Sequence, residues 1–522
     1  MASTSALFSH DAQRVFDDID RHFQLSPETL TELTKTFLDE FRLGLGNYGH
    51  AMAMIPTFVT GVPDGTETGT FLALDLGGTN LRVCEVVLNG DKTFSLRQQK
   101  YKVSETLKTG EATTLFDYLA DSVDAFLTEN TPSDPTPHHR LGDPRLPPQP
   151  VHLGLTFSFP VEQTALGAGK ILTWTKGFSA KNAIGHDVVK LLQDAFDRKH
   201  MHVKCVALVN DTVGAMLSRA YTAGGCILGA IFGTGTNGAY LEQVANLTKL
   251  GNSPAAERGG YMVVNTEWGA FNNSRSHLPS TPFDNTLDRR SINPKFQAFE
   301  KFVSGMYLGE ITRNILMALI DSAPKSLLFN GKFTAQLNEQ WGFDTSVMSD
   351  VELAWEGEKG EEPGPEDKIP PFTEFDEEKL SASVKPRLER IKHVIVRKMG
   401  YEENDVTLKD AAIVTWACSL VARRAALLSG VAVAAVLVQT GRAALPGSER
   451  HANGTSEEEK IGVGVDGSLI EHYPNFERTM RESLRLLVGE DIEKRVEIGM
   501  AKDGSGVGAA LCALMATKQM HQ

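Results

Sequence analysis

The chain has 522 residues, of which 41% are hydrophobic and 23% are charged. This composition is typical of a globular protein long enough for two or three domains, and it excludes a wholly disordered or fibrous chain. The 66 acidic and 52 basic side chains give a net charge of −14, so the overall field repels nucleic acids and anionic membranes.

Neither a secretion signal nor a membrane span is expected. The N-terminal segment lacks the basic and apolar regions of a signal peptide. The most apolar stretch, residues 425–438, is too short to cross a bilayer and predicts a buried helix. The five cysteines form no CxxC pair, which disfavours disulfides and zinc sites and suits a reducing compartment. We therefore expect a cytoplasmic protein, either a monomer or a homodimer.

The first predicted element is a helix that begins at Ser26 and Pro27. Serine is a favourable N-cap, and proline suits the first helical position. Apolar residues then recur on one face, which is typical of a helix packed on a core. These residues are Leu30, Leu33, Phe37 and Phe41. The helix is predicted to end near Gly44 and Gly46.

Strands are predicted from residue 71 onward, where apolar runs alternate with glycine turns. The segment LGGTN at 76–80 lies between two such runs and is predicted to join two strands. Asn89-Gly90 predicts a hairpin turn before the next strand. Gly78-Thr79-Asn80 recurs as Gly235-Thr236-Asn237, again between two strand-like runs. Either the chain contains two related halves, or three small residues match by chance.

Two segments are predicted to lie outside the packed elements. Residues 128–150 contain seven prolines and predict a surface loop or linker. Residues 356–371 are acidic and proline-rich and predict a solvated insertion.

The glycine turn after Asp75 is a candidate phosphate site. Turns of glycine and threonine can present backbone N–H groups to a phosphate, because no side chain stands in the way. Asp75 would then face a Mg²⁺ carried by the phosphate, an ion that carboxylates often hold through water. The alternative is a tight turn with a capping aspartate. Arg82 is either a phosphate ligand or a salt-bridged strand residue.

The pattern GxGxxG occurs at 233–238 and 462–467, and a looser form occurs at 504–509. A dinucleotide site needs a strand, then the glycines, then a helix. The first match leads into another strand-like run and a proline soon interrupts the second, so a nicotinamide dehydrogenase is disfavoured. The third enters a predicted helix, whose first N–H groups either meet a nucleotide or pack closely. The sequence has no Walker A motif, which disfavours a P-loop kinase.

Small polar residues follow apolar runs in the middle of the chain. Ser158 ends the run LGLTFSFP, Thr175 and Lys176 lie in WTKGF, and Asn210 and Asp211 end the run in VALVNDTVG. Open α/β sheets bind ligands at the carboxyl ends of parallel strands. A polyhydroxy substrate needs many hydrogen-bonding groups and one carboxylate to accept a proton. Asp211 is the candidate base, and an ordinary turn after a strand is the alternative.

In their order along the chain, these motifs resemble the eukaryotic hexokinase family, in particular its single-unit fungal members. The segments that carry the resemblance are LDLGGTNLRV (74–83), LGLTFSFP, WTKGF, GHDVV (185–189), VNDTVG, GAIFGTGTN, NTEWGAF (265–271), FEK (299–301) and SGMYLGE (304–310). The resemblance extends over roughly residues 25–515. It implies an α/β, actin-like (ribonuclease-H-like) ATPase fold in which two domains flank a deep cleft.

The resemblance also implies a division of the chain. The smaller domain is expected at 71–210, with the C-terminal helix at 507–522 returning to it. The larger domain is expected at 12–70 together with 211–506. The two sequence halves of the family are expected at about 12–215 and 220–515.

ATP with Mg²⁺ and a hexose (glucose, and also fructose and mannose) are the implied ligands, and phosphorylation of the sugar 6-hydroxyl is the implied reaction. The implied catalytic residues are Asp211, as general base, and Lys176. The implied sugar contacts are Ser158, Phe159, Thr175, Lys176, Asn210, Asp211, Asn237, Glu267, Gln297 and Glu300. The implied nucleotide contacts are Asp75, Gly77, Gly78, Thr79, Asn80, Arg82, Gly233, Thr234, Gly235, Ser429, Asp466, Gly467, Ser468, Gly504 and Ser505. Asp75 is the implied magnesium ligand, through water.

One segment departs from the family pattern. Relatives usually have Asn-Pro-Gly where this chain has Asn293-Pro294-Lys295, just before Gln297 and Glu300. The local backbone and the hexose preference are therefore open to change.

Two other functions within this fold are alternatives. A hexokinase-like sugar sensor is disfavoured by the joint presence of Asp75, Lys176 and Asp211, although a sensing role in addition to catalysis stays open. An actin-like ATPase would share the nucleotide site but would not need the sugar contacts.

Overall fold

The computed structural model describes residues 2–77, 80–129, 150–174, 177–357, 363–448 and 460–520. The strands are β1 (Ile55–Pro56), β2 (Thr68–Leu76), β3 (Asn80–Asn89), β4 (Phe94–Lys102), β5 (Val151–Phe157), β6 (Val161–Ala165), β7 (Ala168–Ile171), β8 (Val203–Val209), β9 (Cys226–Phe232), β10 (Thr236–Gln243), β11 (Tyr261–Asn265), β12 (Ile461–Asp466) and β13 (Val496–Met500). The helices are α1 (Ala2–Phe23), α2 (Pro27–Gly46), α3 (Glu105–Thr109), α4 (Ala112–Glu129), α5 (Val188–Arg198), α6 (Asp211–Ala223), α7 (Pro254–Arg258), α8 (Pro282–Arg290), α9 (Ala298–Val303), α10 (Gly305–Ile320), α11 (Ala335–Asn338), α12 (Thr345–Glu356), α13 (Val384–Met399), α14 (Leu408–Gln439), α15 (Ser468–His472), α16 (Phe476–Val488), α17 (Glu490–Arg495) and α18 (Gly504–Met520).

Helix α2 forms as its sequence predicts. Ser26 caps the helix, with the Thr29 amide donating to Ser26 Oγ at 3.2 Å, and Pro27 is its first residue. The predicted apolar face is buried, and the helix ends at Gly46. This face packs α2 on α14 within the largest hydrophobic core.

Two mixed sheets share one topology. The five-stranded sheet has the order β4-β3-β2-β5-β8, and the six-stranded sheet has the order β1-β11-β10-β9-β12-β13. In each sheet an antiparallel meander of three strands is extended by two later strands that run parallel to its first strand. The two Gly-Thr turns lie at the same point, between the first two strands of each meander. The shared topology favours two related halves over a chance match.

Helices α6 and α18 pack against each other between the two sheets. Helix α6 contacts β9, β10 and β12 of the six-stranded sheet, whereas α18 contacts β2, β5 and β8 of the five-stranded sheet. The helix backbones meet at Gly214 and Gly508. A Cβ added to either glycine would overlap the backbone of the other helix. The division into domains, including the return of the C-terminal helix to the smaller one, remains a prediction.

Helix α14 is longer than the sequence predicts. The buried stretch expected at 425–438 is the second half of a 32-residue helix. By length and composition α14 is the one helix among the described residues that could cross a membrane, but 89% of its most apolar window is buried inside the protein. It packs as a core helix against α2, α13 and α16.

The C-terminal end of the predicted insertion packs on the core. Residues 358–362 lie outside the described residues, but Ile369 packs against the main core. The ring centroid of Phe372, directly after the insertion, lies 4.6 Å from that of Phe16 and 5.6 Å from that of Trp416. Residues 363–371 are otherwise exposed or partly buried, so apolar side chains at this end attach a largely solvent-facing segment to the core.

Two further predictions concern the proline-rich loop and the cysteines. Of the loop predicted at 128–150, residues 130–149 lie outside the described part of the chain, and residues 128 and 129 end α4. All five cysteines are free and buried.

Candidate active site

The carboxyl ends of three neighbouring parallel strands bring several predicted residues together. In the five-stranded sheet Leu76 pairs with Phe157, and Thr156 pairs with Val209. The residues that follow these strands therefore leave the sheet side by side. They are Gly77 after β2, Ser158 after β5, and Asn210 and Asp211 after β8. This edge is where open α/β sheets bind ligands.

Asp211 is the first residue of α6, and Asn210 caps this helix. Asn210 Oδ1 accepts from the Thr212 amide at 3.0 Å and from Thr212 Oγ1 at 2.7 Å. Asp211 Oδ1 accepts from the Thr212 amide at 2.9 Å. The Asn-Asp pair is therefore a helix start and not an ordinary turn, and the first turn of a helix is a favourable place for a carboxylate.

Asn237, Asn265 and Glu267 form a hydrogen-bonded cluster beside the second glycine turn. Asn237 Nδ2 donates to Asn265 Oδ1 at 2.8 Å and to Glu267 Oε1 at 3.2 Å. Asn265 Nδ2 donates to the same Glu267 oxygen at 2.8 Å. Amide and carboxylate groups held in this way suit the hydroxyl groups of a sugar.

Gln297 and Glu300 approach the same turn from the start of α9. The Thr236 amide donates to Glu300 Oε2 at 3.2 Å. Gln297 occupies the N-cap position of α9 with φ of 53°, but its side chain does not cap the helix and instead lies against Gly269. The predicted sugar contacts of the six-stranded half therefore lie together where the second glycine turn enters β10.

Arg82 forms a salt bridge with Asp75 across the β2–β3 hairpin. Arg82 Nε donates to Asp75 Oδ2 at 2.9 Å, and the carboxylate is buried. Burial disfavours the charge on Arg82, but the attraction of Asp75 outweighs burial and raises the pKa of the guanidinium. Of the two interpretations of Arg82, a phosphate ligand or a salt-bridged strand residue, this pairing corresponds to the second. Asp75 is a hard oxygen donor at a strand end, of the kind that holds Mg²⁺ through water beside a phosphate.

The described residues contain no group of three or more His, Cys, Asp or Glu side chains placed to hold a metal ion. A single carboxylate at Asp75 fits magnesium that arrives on a nucleotide, because Mg²⁺ usually keeps several waters and takes its other ligands from phosphates.

The second glycine turn is held in place by backbone contacts. The Gly305 amide donates to Gly233 O at 2.8 Å, and the Met306 amide donates to Thr234 O at 3.3 Å. Gly467 has φ of +118°, and a Cβ on it would lie 2.7 Å from Gly233 N. Only glycine fits there, so the end of β12 packs directly on the backbone of the second glycine turn.

Asp466, at the end of β12, connects the two halves of the site electrostatically. Burial raises the pKa of its carboxyl, the charges of Asp211 and Glu471 raise it further, and Arg82 lowers it. Arg82 lies in β3 of the five-stranded sheet, Asp211 directly follows β8 of that sheet, and Asp466 ends β12 of the six-stranded sheet. The charged groups of both halves are therefore close enough to influence one another.

Two predicted side chains are buried within the protein. Ser429 has no exposed surface inside α14, where its hydroxyl donates to Ala425 O at 2.9 Å. We therefore leave Ser429 out of the proposed site. The Phe159 ring packs on Trp174 at 5.1 Å and on Phe178 at 5.0 Å, so its side chain supports the loop that carries Ser158.

The remaining predicted residues are only partly described. Gly78, Thr79, Thr175 and Lys176 lie outside the described residues, so their predicted roles carry no geometry. Asn80 begins β3, Ser468 begins α15, and Gly504 and Ser505 begin α18. The Ser505 carbonyl accepts from Thr156 Oγ1 at 2.8 Å, which ties the start of α18 to the end of β5.

Two further residues beside the second glycine turn were not predicted from the sequence. Asn265 bonds both Asn237 and Glu267, and the buried Trp268 donates from Nε1 to Thr236 Oγ1 at 3.0 Å. Both lie in NTEWGAF, from which only Glu267 was predicted. The available signal was the spacing of Asn265 and Glu267, since alternate residues of an extended chain lie on one side.

Lys295 stands where the family pattern has glycine. Its backbone nevertheless adopts a conformation that glycine favours. Its φ is +63°, in the left-handed region. The Lys295 amide donates to both carboxylate oxygens of Asp288, at 3.0 and 3.1 Å. Asp288 is in turn bonded by the buried Lys301 Nζ at 2.7 Å. This ion pair holds the strained turn before Gln297.

Comparisons with known proteins agree along nearly the whole chain. Two family models, both described as Hexokinase, match residues 15–221, and residues 227–362 with 364–515. Glucokinase of Aspergillus niger is 39% identical, and the match covers 96% of each chain. Hexokinase-2 of Schizosaccharomyces pombe is 37% identical over 95% of this chain and 96% of its own.

Solved structures agree with the sequence comparison. The structure described as hexokinase from Schistosoma mansoni complexed with glucose has a TM-score of 0.77 to this chain. The two are 33% identical, and the match covers 98% of this chain and 99% of the other. The chain thus has the actin-like α/β fold of these sugar kinases.

Proposed function

This chain belongs to the hexokinase family, and from this we propose that it transfers the γ-phosphoryl group of ATP to the 6-hydroxyl of a hexose, giving hexose 6-phosphate and ADP, the first step of glycolysis. The names of the fungal relatives and the glucose in the Schistosoma structure support glucose as one substrate. One observation carries the proposal: Asp211 starts α6 directly after β8, at the carboxyl edge of the five-stranded sheet, where β2 and β5 also end.

Asp211 is the general base. It accepts the proton of the sugar 6-hydroxyl as that oxygen attacks the γ-phosphorus and the bond to ADP breaks. General-base assistance typically contributes ~10²–10⁴-fold in rate. The bond from the Thr212 amide fixes the carboxylate, so that its orientation is set before substrate binds.

Two groups of side chains recognise the hexose. Ser158 and Asn210 belong to the five-stranded half, and Asn237, Glu267 and Glu300 belong to the six-stranded half. Thr175, Lys176 and Gln297 complete the set. The cluster around Asn237 is already ordered, so its donors and acceptors lose little freedom when sugar hydroxyls bind.

The glycine turns hold the phosphates. The backbone amides of Thr234 and Gly235 supply donors, whereas the amides of Gly77 and Gly233 already donate to Asn80 O and Gly235 O, each at 3.0 Å, and so shape the turns. Asp75 would hold Mg²⁺ through water, and the ion neutralises phosphate charge when bound. Holding both reactants in line supplies much of the remaining rate enhancement. Gly467 and Ser468, and Gly504 and Ser505, lie on the adenosine side.

The reaction takes place between two domains that close on the sugar. The smaller is 71–210 with the helix at 507–522, and the larger is 12–70 with 211–506. Closure suppresses ATP hydrolysis, because water resembles a sugar hydroxyl chemically and the site assembles fully only around a hexose. Buried, unpaired cysteines support a reducing, cytoplasmic location.

A coupled assay tests the function. The chain is incubated with ATP, Mg²⁺ and one hexose at a time (glucose, fructose or mannose), and hexose 6-phosphate is detected enzymatically. We expect sugar-dependent formation of hexose 6-phosphate and ADP in equal amounts. ATP turnover that does not depend on sugar, or sugar binding without turnover, would instead indicate an ATPase or a sensor.

A further inference from the structure

Glu40 on α2 holds the backbone that follows Glu267. Both of its carboxylate oxygens accept from the Asn272 amide, Oε1 at 3.1 Å and Oε2 at 3.3 Å. Asn272 is buried and has φ of +49°, in the left-handed region that asparagine adopts more readily than most residues. The acceptor on α2 therefore holds a buried turn close to a predicted sugar contact.

Phe37, one turn earlier on the same face of α2, packs on the same region. Its ring stacks on Phe271 with a centroid distance of 3.7 Å and meets Phe299 edge-on at 5.2 Å. Phe271 directly precedes Asn272, and Phe299 directly precedes Glu300. One face of α2 thus supports both segments that carry the sugar contacts of the six-stranded half.

The turn bonded by Glu40 also caps α9. Asn273 Oδ1 accepts from the Ala298 amide at 2.9 Å, and so supplies the cap that the side chain of Gln297 does not. Asn272 Oδ1 accepts from the amides of residues 277 and 278 at 3.0 Å, which closes the turn on itself. A displacement of this turn would therefore reach Gln297 as well as Glu267.

We infer that Glu40 is a positioning residue for the hexose. It acts through the Asn272–Asn273 turn, which links Glu267 on one side to Gln297 and Glu300 on the other. This inference rests on the proposed function and deepens it, because it assigns part of the hexose affinity to a helix remote in sequence from every predicted contact.

Glu40→Ala and Glu40→Gln in the full chain test this role by calorimetric titration with glucose and, separately, with Mg-ADP. Glu40→Ala leaves the Asn272 amide without its acceptor, and glucose affinity should fall roughly tenfold. Glu40→Gln keeps a neutral acceptor, and affinity should fall only about threefold. Mg-ADP affinity should change less than about twofold in both. In kinetics the glucose KM should rise while kcat stays nearly constant.

Glu32→Gln is the matched control, because Glu32 lies on an exposed face of the same helix and should leave both affinities unchanged. Glucose affinity equal to the parent's in the Glu40 variants, or equal losses for glucose and Mg-ADP, would overturn the role. If Glu40→Ala does not fold, Glu40→Gln decides. An inactive parent contradicts the proposed function, whereas an active parent with unaffected variants contradicts only the role of Glu40.

Discussion

Several non-glycine residues near the candidate hexose site, Asn272 among them, lie in the left-handed region of the backbone. Glu267, Lys295 and Gln297 have φ of 56°, 63° and 53°. The conformation costs an L-residue about 1–2 kcal/mol, and it persists where surrounding contacts determine the backbone. For Glu267 and Gln297 the cost accompanies a predicted sugar contact. Lys295 carries no such role, so its strain is open to relief.

Lys295→Gly should stabilise the protein. Glycine takes a positive φ without the Cβ clash but adds freedom to the unfolded chain, so the net gain should be about 0.5–1 kcal/mol. The measurement is the midpoint of thermal unfolding, which should rise. Lys295→Ala is the control, because it removes the same side chain but keeps the clash, and its midpoint should not rise. A lower midpoint for the glycine variant would show that the lysine side chain makes a stabilising contact.

The site residues could be predicted where the chemistry is local in the chain. Asn210 and Asp211 are adjacent and follow a strand, so their pattern is visible in the sequence. Whether a serine such as Ser429 is exposed depends on what packs around its helix, and sequence could not show its burial. Glu40 and Asn272 lie 232 residues apart, and no local pattern marks their contact.

At the scale of elements, the crossing of α6 and α18 positions two parts of the site. Asp211 begins α6, and Gly504 begins α18. The helices touch through Gly214 and Gly508, within the first two turns of each helix. The two backbones are in direct contact at this point, with no flexible side chain between them. This contact therefore fixes the distance between the proposed base and the proposed adenosine contacts.

Gly508→Ala should destabilise the protein by about 1–3 kcal/mol, because its methyl group would overlap the Gly214 backbone and force the helices apart. Gly506→Ala, on the same helix, is the matched control. Its Cβ would lie 3.4 Å from Cys84 Sγ, an ordinary contact, and alanine favours a helix by about 1 kcal/mol. Urea denaturation should show opposite shifts in the two variants. Equal shifts would contradict close packing at the crossing.

Elements were predictable where local signals agree with burial. Ser26 and Pro27 mark the start of α2 because capping depends only on neighbouring residues. Helix α14 was found only from residue 425, because Arg424 interrupts its apolar pattern. Arg424 is nevertheless fully buried, where NH1 and NH2 each donate to Asp284 at 2.7 Å. A partner 140 residues away offsets the cost of burying the charge, and sequence alone does not reveal it.

At the scale of the whole molecule, the proposed hexose contacts come from both sheets. Ser158 and Asn210 follow strands of the five-stranded sheet, whereas Asn237 lies in the six-stranded sheet and Glu267 follows it. A sugar that bonds both groups ties the two halves together. Binding energy from the sugar can therefore drive the approach of the domains.

Saturating glucose should decrease the radius of gyration measured by small-angle scattering. The decrease is expected because a hexose in contact with both sheets favours the closed arrangement over any more open one. Sorbitol at the same concentration is the control for the effect of the solute on contrast. A radius that is the same with glucose as with sorbitol would count against closure by the sugar.

The proposed base can be tested by replacing one atom of its side chain. Asp211→Asn keeps the shape of the residue but cannot accept the proton from the 6-hydroxyl. The variant should bind glucose with nearly the affinity of the parent in calorimetry, while glucose 6-phosphate formation with ATP and Mg²⁺ falls by ~10²-fold or more. Turnover within about tenfold of the parent, at equal glucose binding, would contradict general-base catalysis by Asp211.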